Sequence, residues 1–358
     1  MAKGLACAAI VWHHLAFYGP MSDIAQPLAP RLMTWLYDYG RMAVQVFLVL
    51  GGYLAATSLA PDGMARFGRG KDVIAKRFVR LVVPYAVALL LTVLISGLVR
   101  SVMEHSSVPE SPSFWQLVAN AFMLQDIVGH DALSAGVWYV AIDFQLFVLS
   151  VLTLAAIRAL PGAWAEQHGA RLAQAAVVLG VATSFVFFNR EESLDAWAPY
   201  FFGYYGVGML ACWAVRARDA RGWVLVIAAL GALGLAVDFR GRIVLAVAVA
   251  LLMVAALRTP RLQAWRGSAP LVQLGQMSYS VFLIHFGVCL LVNALISTVW
   301  PQSPAINAVG MVLAFALSVL AGRVLYQRVE QHVPSWTTAV RWQLALVLGG
   351  VLLELANV

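Results

Sequence analysis

The sequence predicts an all-α fold: a polytopic transmembrane helical bundle with a ten-helix core and one further candidate helix at the C-terminus. Three observations predict it. Hydrophobic residues make up 62% of the chain and charged residues only 11%, whereas a soluble globular domain runs nearer a quarter charged. Apolar stretches of membrane-spanning length follow one another, each able to close its backbone hydrogen bonds as a helix. Lys and Arg gather at the ends of these stretches and favour alternate connections.

The first element, 4–20 (GLACAAIVWHHLAFYGP), is apolar apart from two histidines and ends at Gly-Pro. The second, 40–60, contains VQVFLVLGGYLAA; the third, 81–100, follows the basic run KRFVR. The fourth, 134–158, closes on Arg158, and the fifth, 171–188, opens at Arg171. Elements 196–215, 223–237 and 243–257 are separated by the basic pairs or clusters Arg216, Arg218, Arg221 and Arg240, Arg242. Elements 274–299 and 305–327 complete the core, and 342–357 is the candidate eleventh. Region 101–133 is polar at first (SVMEHSSVPESPS) and then apolar (FWQLVANAFMLQDIVG), too short for a span and suited to a re-entrant or interfacial segment.

With the N-terminus inside, 18 of the 24 Lys and Arg fall on the inner side, leaving Arg31, Arg41, Arg100, Arg190, Arg240 and Arg242 outside. This bias predicts a cytoplasmic N-terminus. The net charge of +7 is thereby explained by topology, and nucleic acid is not an expected partner. Cys7, Cys212 and Cys289 lie in apolar segments at unrelated spacing, so neither a metal signature nor a disulfide framework is expected. Leu5-Ala6-Cys7 faintly resembles a lipoprotein cleavage site, but no signal core precedes it, and the first helix is expected to be retained. There is no internal repeat of the kind many transporters carry.

Three ionisable residues interrupt the apolar spans: His14, Asp143 and His285. At about 1.5 Å per residue, His14 lies about 16 Å from Lys3, Asp143 about 14 Å into its helix and His285 about 16 Å into its own, all near the middle of a core about 30 Å thick. Intramembrane ionisable groups mark function or a paired packing network. Histidine suits general-base work, with a carboxylate able to orient it. Gln45 and Gln145 lie in the same band. The same residues also suit a proton relay, so a proton-coupled transporter is the alternative reading. Arg77 and Arg80 share a helix face in KRFVR and can clamp phosphates; the competing reading is ordinary positive-inside anchoring. His13 and His14 face different sides of a helix, which argues against a metal pair.

These residues resemble the acyltransferase 3 family of bacterial integral-membrane acyltransferases, over nearly the whole chain. The elements are a basic residue, ten residues and then His (Lys3 and His14, with Lys where the family usually has Arg); VQVFLVLGGYLAA, with Gly51 at the family's Ser position; Arg77-Phe78-Val79-Arg80 with Pro84; VWYVAIDFQLF, with Asp143 in place of the commoner Glu; SYSVFLIHF, with Phe282 in place of a Tyr; and Glu330 with Pro334. The resemblance implies a membrane acyltransferase domain over 1–334, followed by an apolar helix in 335–358. It implies an acyl group, often acetyl, taken from cytoplasmic acyl-coenzyme A and passed to a hydroxyl of a glycan or lipid-linked acceptor at a bacterial inner membrane. His14 would be the central catalytic residue, with Asp143 and His285 beside it and Lys3, Arg77 and Arg80 near the donor's phosphates. An inactive structural relative is the third reading, given the atypical Lys3, Gly51 and Asp143. No hydrolase-like domain is expected after the bundle, so a second transfer step would be expected to need a partner protein. Region 101–133 is expected to line the acceptor's path, with Glu104, Asp126, His130 and Asp131 able to contact sugar hydroxyls; an ordinary polar loop is the competing and simpler reading of those four residues.

Overall fold

The computed structural model describes residues 1–265 and 267–356, and their side chains except those of residues 163–166. Arg266 and the last residues of the 342–357 stretch lie outside the described residues. The described chain is 79% helical and contains no strand. In chain order the helices are α1 (Ala2–Phe17), α2 (Met21–Ala25), α3 (Pro30–Tyr39), α4 (Val44–Leu59), α5 (Gly70–Arg100), α6 (Phe114–Ala121), α7 (Trp138–Arg158) and α8 (Ala163–Val186). They continue with α9 (Ala198–Arg216), α10 (Arg221–Val237), α11 (Gly241–Arg258), α12 (Pro260–Gln263), α13 (Ala269–Gln276), α14 (Ser278–Val299), α15 (Pro304–Leu325) and α16 (Trp336–Ala356).

Each apolar stretch expected from the sequence contains a helix. Among the described residues, eight helices are long and apolar enough to cross a membrane, and Arg221–Val237 is a shorter apolar one. The differences lie at the ends. A 3₁₀ turn, Gly40–Ala43, joins α3 to α4 and extends the second span back to Pro30. Helix α5 begins at Gly70, eleven residues before the expected span, and carries both Arg77 and Arg80 inside the helix. Pro84 lies within α5 and cannot donate to the Arg80 carbonyl one turn before it; at the next residue the Tyr279 hydroxyl donates to the Leu81 carbonyl at 2.9 Å and ties α14 to α5. The span expected over 274–299 is interrupted at Met277, between α13 and α14.

Two compact units divide the chain. One comprises Met1–Ala43, Phe78–Val140 and Ser268–Val358. In it α1 lies against α3, α13 and α14, α14 pairs with α15, and α6 rests on α16. Asn293 of α14 fixes the end of α1: its side-chain oxygen takes the Met21 amide at 2.9 Å, and its amide donates to the Tyr18 and Cys289 carbonyls. This buried, fully used carboxamide sets the register that brings His14 opposite His285.

The other unit comprises Val44–Arg77 and Ala141–Gly267. Its centre is the α4–α9 pair, with α8 and α11 also on α9. A Cβ at Gly52 would stand 1.8 Å from the Tyr205 carbonyl oxygen, and one at Gly208 would stand 1.9 Å from that of Val49. The two backbones therefore touch, and only glycine fits at both positions.

Candidate active site

His14 and His285 are 8% and 0% exposed. His14 Nδ1 and His285 Nε2 are 2.5 Å apart. The ring planes differ by 8° and the centroids are 4.8 Å apart. That separation is the nitrogen–nitrogen distance plus one ring radius at each end. The rings therefore meet edge to edge and nearly coplanar, in line for a hydrogen bond rather than face to face.

The direction of that bond follows from the next one. His285 Nδ1 is 2.7 Å from the Phe282 carbonyl oxygen. A carbonyl only accepts, so His285 Nδ1 carries a proton. For neutral rings, His285 Nε2 is then a bare acceptor, His14 Nδ1 must donate to it, and His14 Nε2 is left with an unshared lone pair. One backbone carbonyl thus orders both rings and presents a single basic nitrogen on His14. The neighbouring His13 points elsewhere: its Nδ1 donates to the Leu36 carbonyl at 2.9 Å and ties α3 to α1.

Gly136 closes on the Cε1 edge of the His14 ring. Its φ is +82°, and a Cβ there would stand 2.9 Å from Phe282 Cζ and 3.2 Å from His14 Cε1. A left-handed backbone hard against two rings admits only glycine. Sequence reasoning did not single out Gly136; its one signal was a lone glycine opening an apolar run.

The SYSVFLIH stretch does several structural jobs around this pair. Besides Tyr279 on α5, the Ser280 amide and hydroxyl both donate to Glu330 Oε2, at 3.1 and 2.6 Å. Glu330 therefore caps the first turn of α14, where a carboxylate is favoured. Lys3 and Arg80 lie within electrostatic reach of the same carboxylate, and Lys3 Cβ is 3.4 Å from where a Gly275 Cβ would be. Two of the three basic residues expected at the donor's phosphates thus gather around the start of α14.

The third, Arg77, belongs to the other unit, as does Asp143. Arg77 donates to Asp143 Oδ2 at 2.5 Å, and its guanidinium lies over the Phe147 ring, 5.3 Å from the centroid. The Asp143 side chain is 9% exposed and that of Arg77 35%, so the pair is anchored at its acidic end and open at its basic end. Gly51 lies beside it: a Cβ there would be 3.1 Å from Asp143 Oδ1 and 3.2 Å from the Tyr205 ring. Gln145 spans the Ala196 carbonyl and the Ala198 amide, both at 3.0 Å, and positions the start of α9. Gln45 is buried with its side-chain oxygen unpartnered. The group that orients His14 in this structure is another histidine. Among the described residues no set of three or more His, Cys, Asp or Glu is arranged to hold a metal.

The chain is thus a helical bundle with helices long and apolar enough to cross a membrane, and it holds a buried, hydrogen-bonded histidine pair and basic residues around a helix start. Residues 1–323 match the family model described as an acyltransferase domain. The chain belongs to this family, the acyltransferase 3 family of integral-membrane acyltransferases, and is a membrane acyltransferase. No curated protein and no solved structure matches it.

Proposed function

We propose that the chain moves an acyl group, acetyl in the first instance, from cytoplasmic acyl-coenzyme A to a hydroxyl of a saccharide or lipid-linked acceptor. The observation that carries this reading is the ordered chain from the Phe282 carbonyl through His285 to His14, in a protein of an acyltransferase family. His14 Nε2 takes the proton of the acceptor hydroxyl as its oxygen attacks the thioester carbonyl. The carbon–oxygen bond forms, the carbon–sulfur bond breaks, and the leaving thiolate takes the proton from His14. During the step His14 bears charge, and its Nδ1–H keeps donating to His285, which holds the ring in place. If His14 instead carries the acyl group transiently, the same nitrogen does it.

Lys3 and Arg80, beside the start of α14, and separately Arg77, held by Asp143, are the residues proposed to bind the donor's phosphates. Asp143 is then a positioning residue for Arg77. The distribution of Lys and Arg supports a cytoplasmic N-terminus, with Lys3 on the donor side; the membrane proposed is a bacterial inner membrane.

The test is transfer of label from radiolabelled acetyl-coenzyme A into saccharide and lipid fractions by membranes carrying wild-type protein or His14→Ala at matched expression. Wild-type transfer with a loss of about a hundredfold or more in the variant, the range of general-base catalysis, supports the reading. Equal transfer by both proteins removes His14 from the chemistry.

A further inference from the structure

His14 is only 8% exposed, yet a donor and an acceptor must both reach its Nε2, so a group that covers it has to move. Tyr18, one turn on, packs against the His14 ring with centroids 5.6 Å apart, and it meets Phe286 edge-on at 5.0 Å. The stretch that follows α5 lies against these two aromatic residues. Its Met103 is buried in a cluster with Val99, Ala135, Phe286, Leu290 and Ala294, and Tyr18 and Val108 pack on the same cluster. Apolar packing therefore runs without a break from Met103 and Val108, through Phe286 and Tyr18, to His14.

This stretch is a strap closed on itself. The Val102 and Met103 amides still donate to the Val99 carbonyl, and the helical run stops there. Arg100 donates to the Pro109 carbonyl at 3.0 Å, which ties the two ends of the strap together. Its middle is tied to another helix: His105 Nε2 lies 3.4 Å from Asp23 Oδ2 of α2. The tautomer is set locally. The Ser107 amide donates to His105 Nδ1 at 3.1 Å, so in the neutral ring Nδ1 is bare and the proton sits on Nε2, facing Asp23. Gly19 makes room for the carboxylate, since a Cβ there would stand 2.3 Å from Asp23 Oδ2. The Asp23 side chain is 69% exposed, and so open a contact is weak and readily released. A self-closed loop with apolar side chains beneath it and a weak tie at its middle has the build of an active-site lid.

We propose that residues 101–109 are a lid over the His14–His285 pair, shut in this structure and latched by His105 on Asp23. When the latch releases, Met103 and Val108 lift from Phe286 and Tyr18, and a substrate reaches His14 Nε2 from this side. When it is shut, the lid keeps water from the thioester while the acyl group moves. That the lid serves catalysis rests on the reading of His14 as the group that moves the proton; that it guards access to His14 does not.

The test uses the full-length chain carrying His105→Cys and Asp23→Cys, bridged by a short reducible bis-methanethiosulfonate, with the bridge verified by mass. Diethyl pyrocarbonate, which modifies a bare imidazole nitrogen, reports access to His14, read by peptide mass against the exposed His332. The bridge should slow modification of His14 relative to His332 about tenfold, as protection by a closed segment does, and reductant should restore the rate in the same preparation. Asp23→Ala alone, which only removes the latch, should raise the rate severalfold above wild type. Transfer of label from radiolabelled acetyl-coenzyme A should fall with the bridge and return on reduction. A His14 rate that neither the bridge nor Asp23→Ala changes overturns the lid. Slowed modification with undiminished transfer shows that the strap need not open during the reaction and overturns its catalytic role. Modification that follows the bridge in a protein that transfers no label upholds the lid and rejects the acetyl-coenzyme A reading instead.

Discussion

Which ring donates in the His14–His285 bond is decided at the far side of His285, by a carbonyl that can only accept. Nitrogen NMR of histidine-labelled protein should therefore find both rings protonated at Nδ1, with Nε2 bare. A proton on Nε2 of His14 would contradict the chain. His285→Ala should strand the Nδ1–H of His14, at a cost of about 1–3 kcal/mol for a buried unpaired donor, and reduce transfer. His285→Gln, which restores an acceptor oxygen, should recover part of both. At the other residue pair, Asp143→Asn should raise the KM for acyl-coenzyme A more than it lowers kcat, because Asp143 touches Arg77 and acts through it. A fall in kcat alone would place Asp143 in the chemistry instead.

At the scale of elements, the spans were legible because charge is so costly in a bilayer that crossing segments must be long and apolar, a pattern rare in water-exposed chains. The same cost made His14, Asp143 and His285 stand out in the sequence alone. Partner choice was not legible. Nothing in the local sequence of Asp143 tells that Arg77 takes it, or that Glu330 serves Ser280, because these pairings are set by tertiary packing between segments far apart in the chain. Helices α2 and α3 were missed because they are too short or too polar to carry a span signal; α3 buries only Leu36. Two helix contacts are open to direct test. Gln343→Leu should cost about 1–3 kcal/mol by orphaning the Ala121 carbonyl, read as a lower thermal midpoint. Gly52→Leu should be worse still, because its side chain would have to enter the backbone of α9.

For the whole molecule, the expected topology has eleven crossings if α16 spans. Odd crossings put the two termini on opposite sides of the membrane. Tags at each end, probed with an impermeant reagent on intact and opened cells, should show the N-terminus protected and the C-terminus reached. Protection of both would mean that α16 lies on or within one leaflet, or that one of the shorter helices, α1 or α10, does not cross.

Glu330 also bears on where this protein can be cut. The family match ends at residue 323, yet the carboxylate that caps the histidine-bearing helix sits seven residues beyond it, and the side chain holding the end of α6 comes from Gln343. A recombinant fragment trimmed to the matched region would retain His14, Arg77, Asp143 and His285. It would lose the carboxylate over α14 and the contacts that Gln343 and Gly350 make with α6. Expression boundaries for this chain belong after α16.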